Sequence, residues 1–255
     1  MTRPLFTGVG VALVTLFDDD GEVDAKATAE HAATLVELGM RAVVVAGSTG
    51  EAAALTEAER TTLLTEVRRA VPAGTPVLAG TGAPSIRQAV ALTHAAVDHG
   101  ADGVLALSPP GAVNLRGYYE AVAAAAGETP VLAYHYPKTS PPGIPVELLD
   151  ELPIQGLKDS SGDPGRLIDE LTGFGGWLYV GSATLIATAG LLGCAGAVLA
   201  LANAEPEGCV AAFAGDAGAQ LGLVSSHRAA RRDFPHGLKD LVADRFGTSR
   251  ATRLG

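Results

Sequence analysis

Short runs of β-branched and small apolar residues recur along the chain at 9–17, 42–46, 76–80, 103–107, 130–136, 154–158, 178–181 and 196–201. Their near-continuous apolarity, rather than strict alternation with polar residues, predicts strands of a parallel sheet covered on both faces. The intervals between them carry helix signals. Thr56-Glu57-Ala58-Glu59 and Ser85-Ile86-Arg87-Gln88 have the form of capping boxes, in which the first hydroxyl and the fourth side chain satisfy orphan amides reciprocally. Leu63, Leu64, Val67 and Val71 then repeat at helical spacing, and Val90, Leu92, Ala96 and Val97 leave a weaker trace of the same kind. Asp163-Pro164 places an N-cap aspartate before a proline at the first helical turn.

Strand–helix units repeated eight times in a domain-sized chain predict a (β/α)8 TIM barrel. A doubly wound sheet is the competing pattern, but no Gly-x-Gly-x-x-Gly follows the first strand to support a dinucleotide site. After Asn203 the strands stop, and 206–218, 220–232 and 236–246 read as appended helices. The expected organisation is a barrel over residues 1–204 with a C-terminal helical extension over 205–255 packed on it.

Composition narrows the function. Of 255 residues, 47% are hydrophobic and 18% charged, enough for one large core. A net charge of −10 argues against nucleic acid as a partner, since no basic stripe is present to displace counterions. Arg228, Arg231 and Arg232 form the densest cationic stretch and read as a solvated helix face. Cys194 and Cys209 lie in apolar or helical context without metal-ligand spacing, which fits a reducing cytoplasm. The N-terminus lacks the apolar run of a signal peptide, and no apolar segment reaches membrane-spanning length. A soluble cytoplasmic protein with no membrane partner is expected.

Candidate chemistry sits at the strand ends, where barrels of this kind collect reactive residues. Ile154-Gln155-Gly156-Leu157 leads into Lys158, a lysine at the end of a buried strand. Burial disfavours an ammonium, so such a lysine snorkels to solvent or becomes a free amine able to attack a carbonyl. The second strand runs into Gly47-Ser48-Thr49-Gly50-Glu51, either a plain turn or one whose hydroxyls and amides converge on an anion. Glu51 reads as an anchor of that turn. Along the fifth strand the pleat sends Tyr134 and Tyr136 to one side and His135 to the other. Tyr134 is then a packed aromatic or a proton shuttle, and His135 supplies a supporting hydrogen bond. Ser160 shares the pleat direction of Lys158 and is expected to contact the variable half of a substrate. His31, His94, His99, His227 and His236 read as solvated or packed. An amine, a hydroxyl-rich turn and a phenol are together the parts for carbonyl chemistry on a 2-oxo acid.

Gly47 to Glu51, Tyr134-His135-Tyr136-Pro137 and Gly156-Leu157-Lys158-Asp159-Ser160 occur in the order seen in the dihydrodipicolinate synthase / N-acetylneuraminate lyase family of class I pyruvate-type aldolases, which this chain resembles from Gly10 to about Asn203. The resemblance implies that Lys158 forms the Schiff base and Tyr134 transfers protons. It further implies that Ser48 and Thr49 bind the carboxylate of pyruvate, that Val198 lines the pocket through its backbone, and that Gly181 and Ser182 border the substrate. Neither a cofactor nor a metal is implied, and the partners are a 2-oxo acid substrate and further copies of the chain in a dimer or tetramer. Two departures matter. The stretch Ser108-Pro109-Pro110-Gly111-Ala112-Val113 lacks the tyrosine that dihydrodipicolinate synthases place after the fourth strand. Thr139, beside Lys138, stands where they carry an arginine for the second substrate's carboxylate. Residues 197–203 and 231–239 are more similar to the 4-hydroxy-2-oxoglutarate and 2-keto-3-deoxy-sugar-acid aldolase branch, and the region after Asn203 is shorter than usual for the family. The expected activity is reversible cleavage of a 4-hydroxy-2-oxo acid to pyruvate and an aldehyde. The alternatives are a condensing enzyme, a hydro-lyase acting on a deoxy-oxo sugar acid, or a non-catalytic binding relic.

Overall fold

The structure, a computed structural model, describes residues 3–254. Eight parallel strands close into a barrel: β1 (Gly8–Ala12), β2 (Val43–Val45), β3 (Val77–Gly80), β4 (Gly103–Leu107), β5 (Val131–His135), β6 (Gly156–Asp159), β7 (Trp177–Val180) and β8 (Gly196–Leu199). Each strand pairs with the next in sequence, and β8 returns to β1 through Gly8↔Gly196 to Val11↔Leu199. The outer layer begins with α1 (Ala25–Glu37), α2 (Glu57–Ala70), α3 (Ile86–Asp98) and α4 (Leu115–Ala126), and continues with α5 (Pro164–Gly173) and α6 (Ile186–Leu191). A short 3-10 segment, Val146–Glu151, replaces a helix after β5. Beyond β8 follow α7 (Pro206–Phe213), α8 (Ala217–Gly222), α9 (Val224–Arg232) and α10 (His236–Phe246). No helix among the described residues is long and apolar enough to cross a membrane.

The pleat sorts side chains into two cores. Val9, Val11, Val43, Val45, Val77, Val104, Val131, Leu157, Leu178, Val180, Ala197 and Leu199 face the helices. Their strand neighbours Ala12, Val44, Leu78, Leu105, Leu132, Tyr134, Trp177, Tyr179 and Val198 fill the barrel interior. Period-two alternation therefore survives in a sheet whose two faces are both apolar, and it places Lys158, flanked by Leu157 and Asp159, on the inward side. Phe6 closes the base of the interior, stacked on Tyr179 with ring centroids 4.5 Å apart.

Several local expectations shift. The first apolar run ends as a strand at Ala12; Leu13 to Phe17 stay buried but leave the barrel, and Phe17 makes only an isolated antiparallel bridge to Val23. The Thr56–Glu59 box is complete. At Ser85 it is half formed: the hydroxyl accepts from the Gln88 amide at 3.3 Å, but the Gln88 side chain takes the Ser85 hydroxyl rather than its amide. On α3 the buried face is Ala89, Thr93 and Ala96, with Val90, Leu92 and Val97 only half buried. Small residues let the helix lie close to its neighbours, and their weak hydrophobicity hides that face in the sequence. The expected helix over 220–232 begins within α8, which ends at Gly222, and continues as α9.

Candidate active site

Neighbouring strands in exact pairing bring the reactive side chains together. Tyr134 on β5 pairs with Lys158 on β6, which pairs with Tyr179 on β7. Partners across a parallel pair point the same way, so the phenol and the amine share the interior. Lys158 Nζ lies 4.3 Å from the centroid of the Tyr134 ring, and the residue is only 4% exposed. It sits at the floor of a cavity of about 500 Å³ that Ser48, Thr49, Tyr134, Ser160, Gly181 and Ser182 also line.

Burial sets the protonation state of the amine. It lowers the Lys158 pKa from 10.5 to about 7, because the interior solvates an ammonium poorly. Below about 7 the folded protein carries a buried charge at a cost in stability. That cost fades as pH rises towards 10.5, where the unfolded chain also gives up its proton. Only a free amine adds to a carbonyl, so trapping of a pyruvate adduct on Lys158 with borohydride is expected to quicken with pH and level off above about 7. An adduct rate that climbs steadily to pH 10 would show an ordinary, solvated lysine.

Burial acts oppositely on Tyr134, raising the pKa of its phenol well above the ordinary value; the Ser160 and Ser48 hydroxyls beside it offset this in part. Tyr136 stacks on it at 5.8 Å, confirming that the two tyrosines share one face of the pleat. His135 points the other way, where Nδ1 accepts the Ile144 amide at 2.9 Å. Its pKa falls to about 4, through burial and then the nearby Arg166 guanidinium, so it stays neutral.

The loop after β6 is shaped by Asp159, whose carboxylate accepts the Ser161 amide at 2.8 Å and hydroxyl at 2.7 Å. This holds Ser160 beside the Tyr134 phenol and against Gly181. Gly181 is required by close approach. A methyl group there would collide with Ser160 Oγ and stand 2.9 Å from Lys158 Cε. Gly181→Ala is therefore expected to displace the amine and lower turnover by roughly 100-fold, as misplacement of a reacting group by about 1 Å does. Comparing adduct formation in the variant and the parent checks this.

The turn after β2 is a single 3-10 turn over Ser48–Gly50, with its first amides free of any partner the turn itself supplies. Val198 does not border the cavity; it packs in the barrel interior, and Leu199, Ala200 and Leu201 line the wall instead. His227, which reads from the sequence as solvated or packed, and Arg231, which reads as part of a solvated helix face and is exposed, both border the cavity together with Phe234 and Leu238. Charge on a helix does not reveal that the helix lies over the barrel mouth. Ser108 to Val113 do not line the cavity; the loop is tied to the one after β5 through Ser140 Oγ on the Ser108 carbonyl and the Gly111 amide on the Pro141 carbonyl at 2.7 Å. Among the described residues no cluster of His, Cys, Asp or Glu has the arrangement of a metal site.

The model of the dihydrodipicolinate synthetase family matches residues 5–229. An uncharacterized DapA-like lyase of Halobacterium salinarum is 39% identical over 215 residues, covering 78% of this chain and 68% of that protein. A 4-hydroxy-tetrahydrodipicolinate synthase of Salinibacter ruber is 36% identical over 215 residues, covering 79% and 70%. Among solved structures, the dihydrodipicolinate synthase of Acinetobacter baumannii complexed with pyruvate superposes with a TM-score of 0.85 at 30% identity, over 99% of this chain and 94% of that one.

Proposed function

Since the chain belongs to the dihydrodipicolinate synthetase family of lyases, we propose that it is a Schiff-base aldolase that reversibly cleaves a 4-hydroxy-2-oxo acid to pyruvate and an aldehyde. The observation that carries this reading is a buried amine with a pKa of about 7 facing a phenol across the floor of a substrate-sized cavity.

The substrate's carboxylate rests on the Ser48 and Thr49 hydroxyls and the amides that begin their turn. Lys158 Nζ attacks the C2 carbonyl and forms a carbinolamine. The Tyr134 phenol gives its proton to the departing hydroxyl, which leaves as water. What remains is an iminium cation beside a phenolate. That cation supplies the opposite charge that burial withholds from Tyr134 in the free protein, so the phenolate becomes accessible only after imine formation. The phenolate then takes the proton of the C4 hydroxyl. The C3–C4 bond breaks, its electron pair passes into the iminium to give an enamine, and C4 departs as the aldehyde. Tyr134 returns its proton to C3, and water hydrolyses the regenerated iminium to pyruvate and free Lys158, the proton released restoring the Tyr134 phenol.

The aldolase is favoured over a dihydrodipicolinate synthase by the loop after β4, which carries no tyrosine and lies outside the cavity, and by Thr139 in the outer wall. That outer wall also carries Lys138, His227 and Arg231 and no carboxylate, which suits an aldehyde portion rich in hydroxyls or bearing a second acid group. The test is to supply 4-hydroxy-2-oxo acids and follow pyruvate with lactate dehydrogenase. Pyruvate release supports the aldolase. A 2-oxo product without pyruvate would make the protein a hydro-lyase, and turnover only in the joining of pyruvate to a carboxylate-bearing aldehyde would make it a synthase.

A further inference from the structure

Glu51 closes the turn that carries Ser48 and Thr49, yet it takes no part in the chemistry above. Its side chain is fully buried. Its backbone has φ 56°, and Ala46, just before the turn, has φ 51°. Two non-glycine residues in the left-handed region on either side of one turn persist only where the surroundings hold them there.

The C-terminal segment supplies those surroundings. Glu51 Oε1 lies 2.7 Å from Lys239 Nζ on α10, with neither side chain exposed. Glu51 Oε2 accepts the amides of Arg253 and Leu254, each at 2.8 Å. Lys239 also donates to the Ala251 carbonyl. Arg253 fastens the same segment down: Nε donates to the Gly21 carbonyl at 2.7 Å, Nη1 to the Ala54 carbonyl at 3.0 Å, and Nη2 pairs with Glu59 at 2.7 Å. The Phe17 ring carries both cations, Lys239 at 4.3 Å and Arg253 at 4.8 Å. Residues some 200 positions apart in sequence thus converge on one carboxylate at the base of the substrate-binding turn. From the barrel side Thr15 Oγ1 holds the Gly50 carbonyl at 2.8 Å.

We propose that the segment Ala251–Leu254, acting through the buried Glu51 carboxylate, positions the Ser48 and Thr49 hydroxyls for the carboxylate of the substrate. The inference rests on the reading of those hydroxyls as the carboxylate site. Glu51 and the segment are positioning elements: they touch no substrate, and they hold the turn in a shape it would not keep alone.

The test separates carboxylate binding from general damage. Adduct formation on Lys158 under borohydride is timed with pyruvate and with acetone, which has the ketone but no carboxylate. Three variants are compared with the parent: a chain ending at Arg250, Leu254→Pro, which removes one amide donor to Glu51, and Arg253→Ala, which unfastens the segment. The second-order constant for pyruvate is expected to fall about 10-fold on truncation, the effect of losing hydrogen bonds to a charged group, while that for acetone stays within about twofold. Leu254→Pro and Arg253→Ala should show the same selectivity with smaller size, and they decide the matter if the truncated chain does not fold. Equal losses with both ketones, or no loss with either, would overturn the inference. Absence of any pyruvate adduct in the parent is a different result: it overturns the proposed aldolase chemistry before a variant is made.

Discussion

Lys158→Ala is expected to lower pyruvate release by about 10⁴-fold or more, because the other lysine of the cavity, Lys138, is exposed in the outer wall and does not replace the covalent electron sink. An ordinary lysine with a pKa near 10.4 is about 0.1% free amine at pH 7.4. Burial brings Lys158 to about 7, where most of it is free at the same pH. Removing the side chain removes that entire population. Lys158→Arg should be as inactive, since a guanidinium keeps its proton under all these conditions. The alanine variant should not unfold the barrel, whereas the arginine variant buries a charge it cannot shed and is expected to be less stable than the parent. The alanine variant loses a buried amine that costs stability below about pH 7, so its melting temperature is expected to match or exceed the parent's there. Coupled lactate dehydrogenase assays read turnover, and peptide mass spectrometry after borohydride reads the adduct. Turnover within about 10-fold of the parent in either variant would remove the Schiff base from the mechanism.

Tyr134→Phe is expected to lower kcat by about 10²- to 10³-fold, within the range that positioned acid–base groups contribute. The substitution keeps the ring that lies 4.3 Å below Lys158 Nζ and stacks on Tyr136 at 5.8 Å, so packing is preserved and only the hydroxyl is lost. Ser160 and Ser48, whose hydroxyls lie beside the phenol, do not replace it. An aliphatic hydroxyl holds its proton too tightly to become the base that takes the C4 proton. The pyruvate concentration giving half-maximal adduct should change little, since the carboxylate is held by the turn after β2. Steady-state kcat and KM, measured with the same 4-hydroxy-2-oxo acid for parent and variant, separate the two effects. A kcat within about threefold of the parent would show that another group moves the protons.

Much of the site follows from local rules. A two-residue pleat period puts Lys158 inward once Leu157 is known to face the helices, and the same rule separates Tyr134 from His135. Asp163 caps α5 as its sequence predicts, accepting the Gly165 amide at 2.8 Å. The Gly181 requirement is harder to see in sequence. It arises because β6 and β7 lie side by side and bring Ser160 and Lys158 against it. The Val198 side chain lies in the interior core, one residue before the stretch that meets the cavity.

By itself the sequence determined the alternation of strands and helices, the closed parallel barrel, and the inward amine and phenol with the hydroxyl turn beside them. Each of these depends on periodicity, capping or strand-end chemistry within a few residues. Only the tertiary structure decided that α9 lays His227 and Arg231 along the cavity, and that Glu51 is held by Lys239, Arg253 and Leu254. A helix reveals its own faces but not which surface it will cover. A buried carboxylate likewise does not reveal partners about 200 residues away, because they meet it only after the whole barrel has closed.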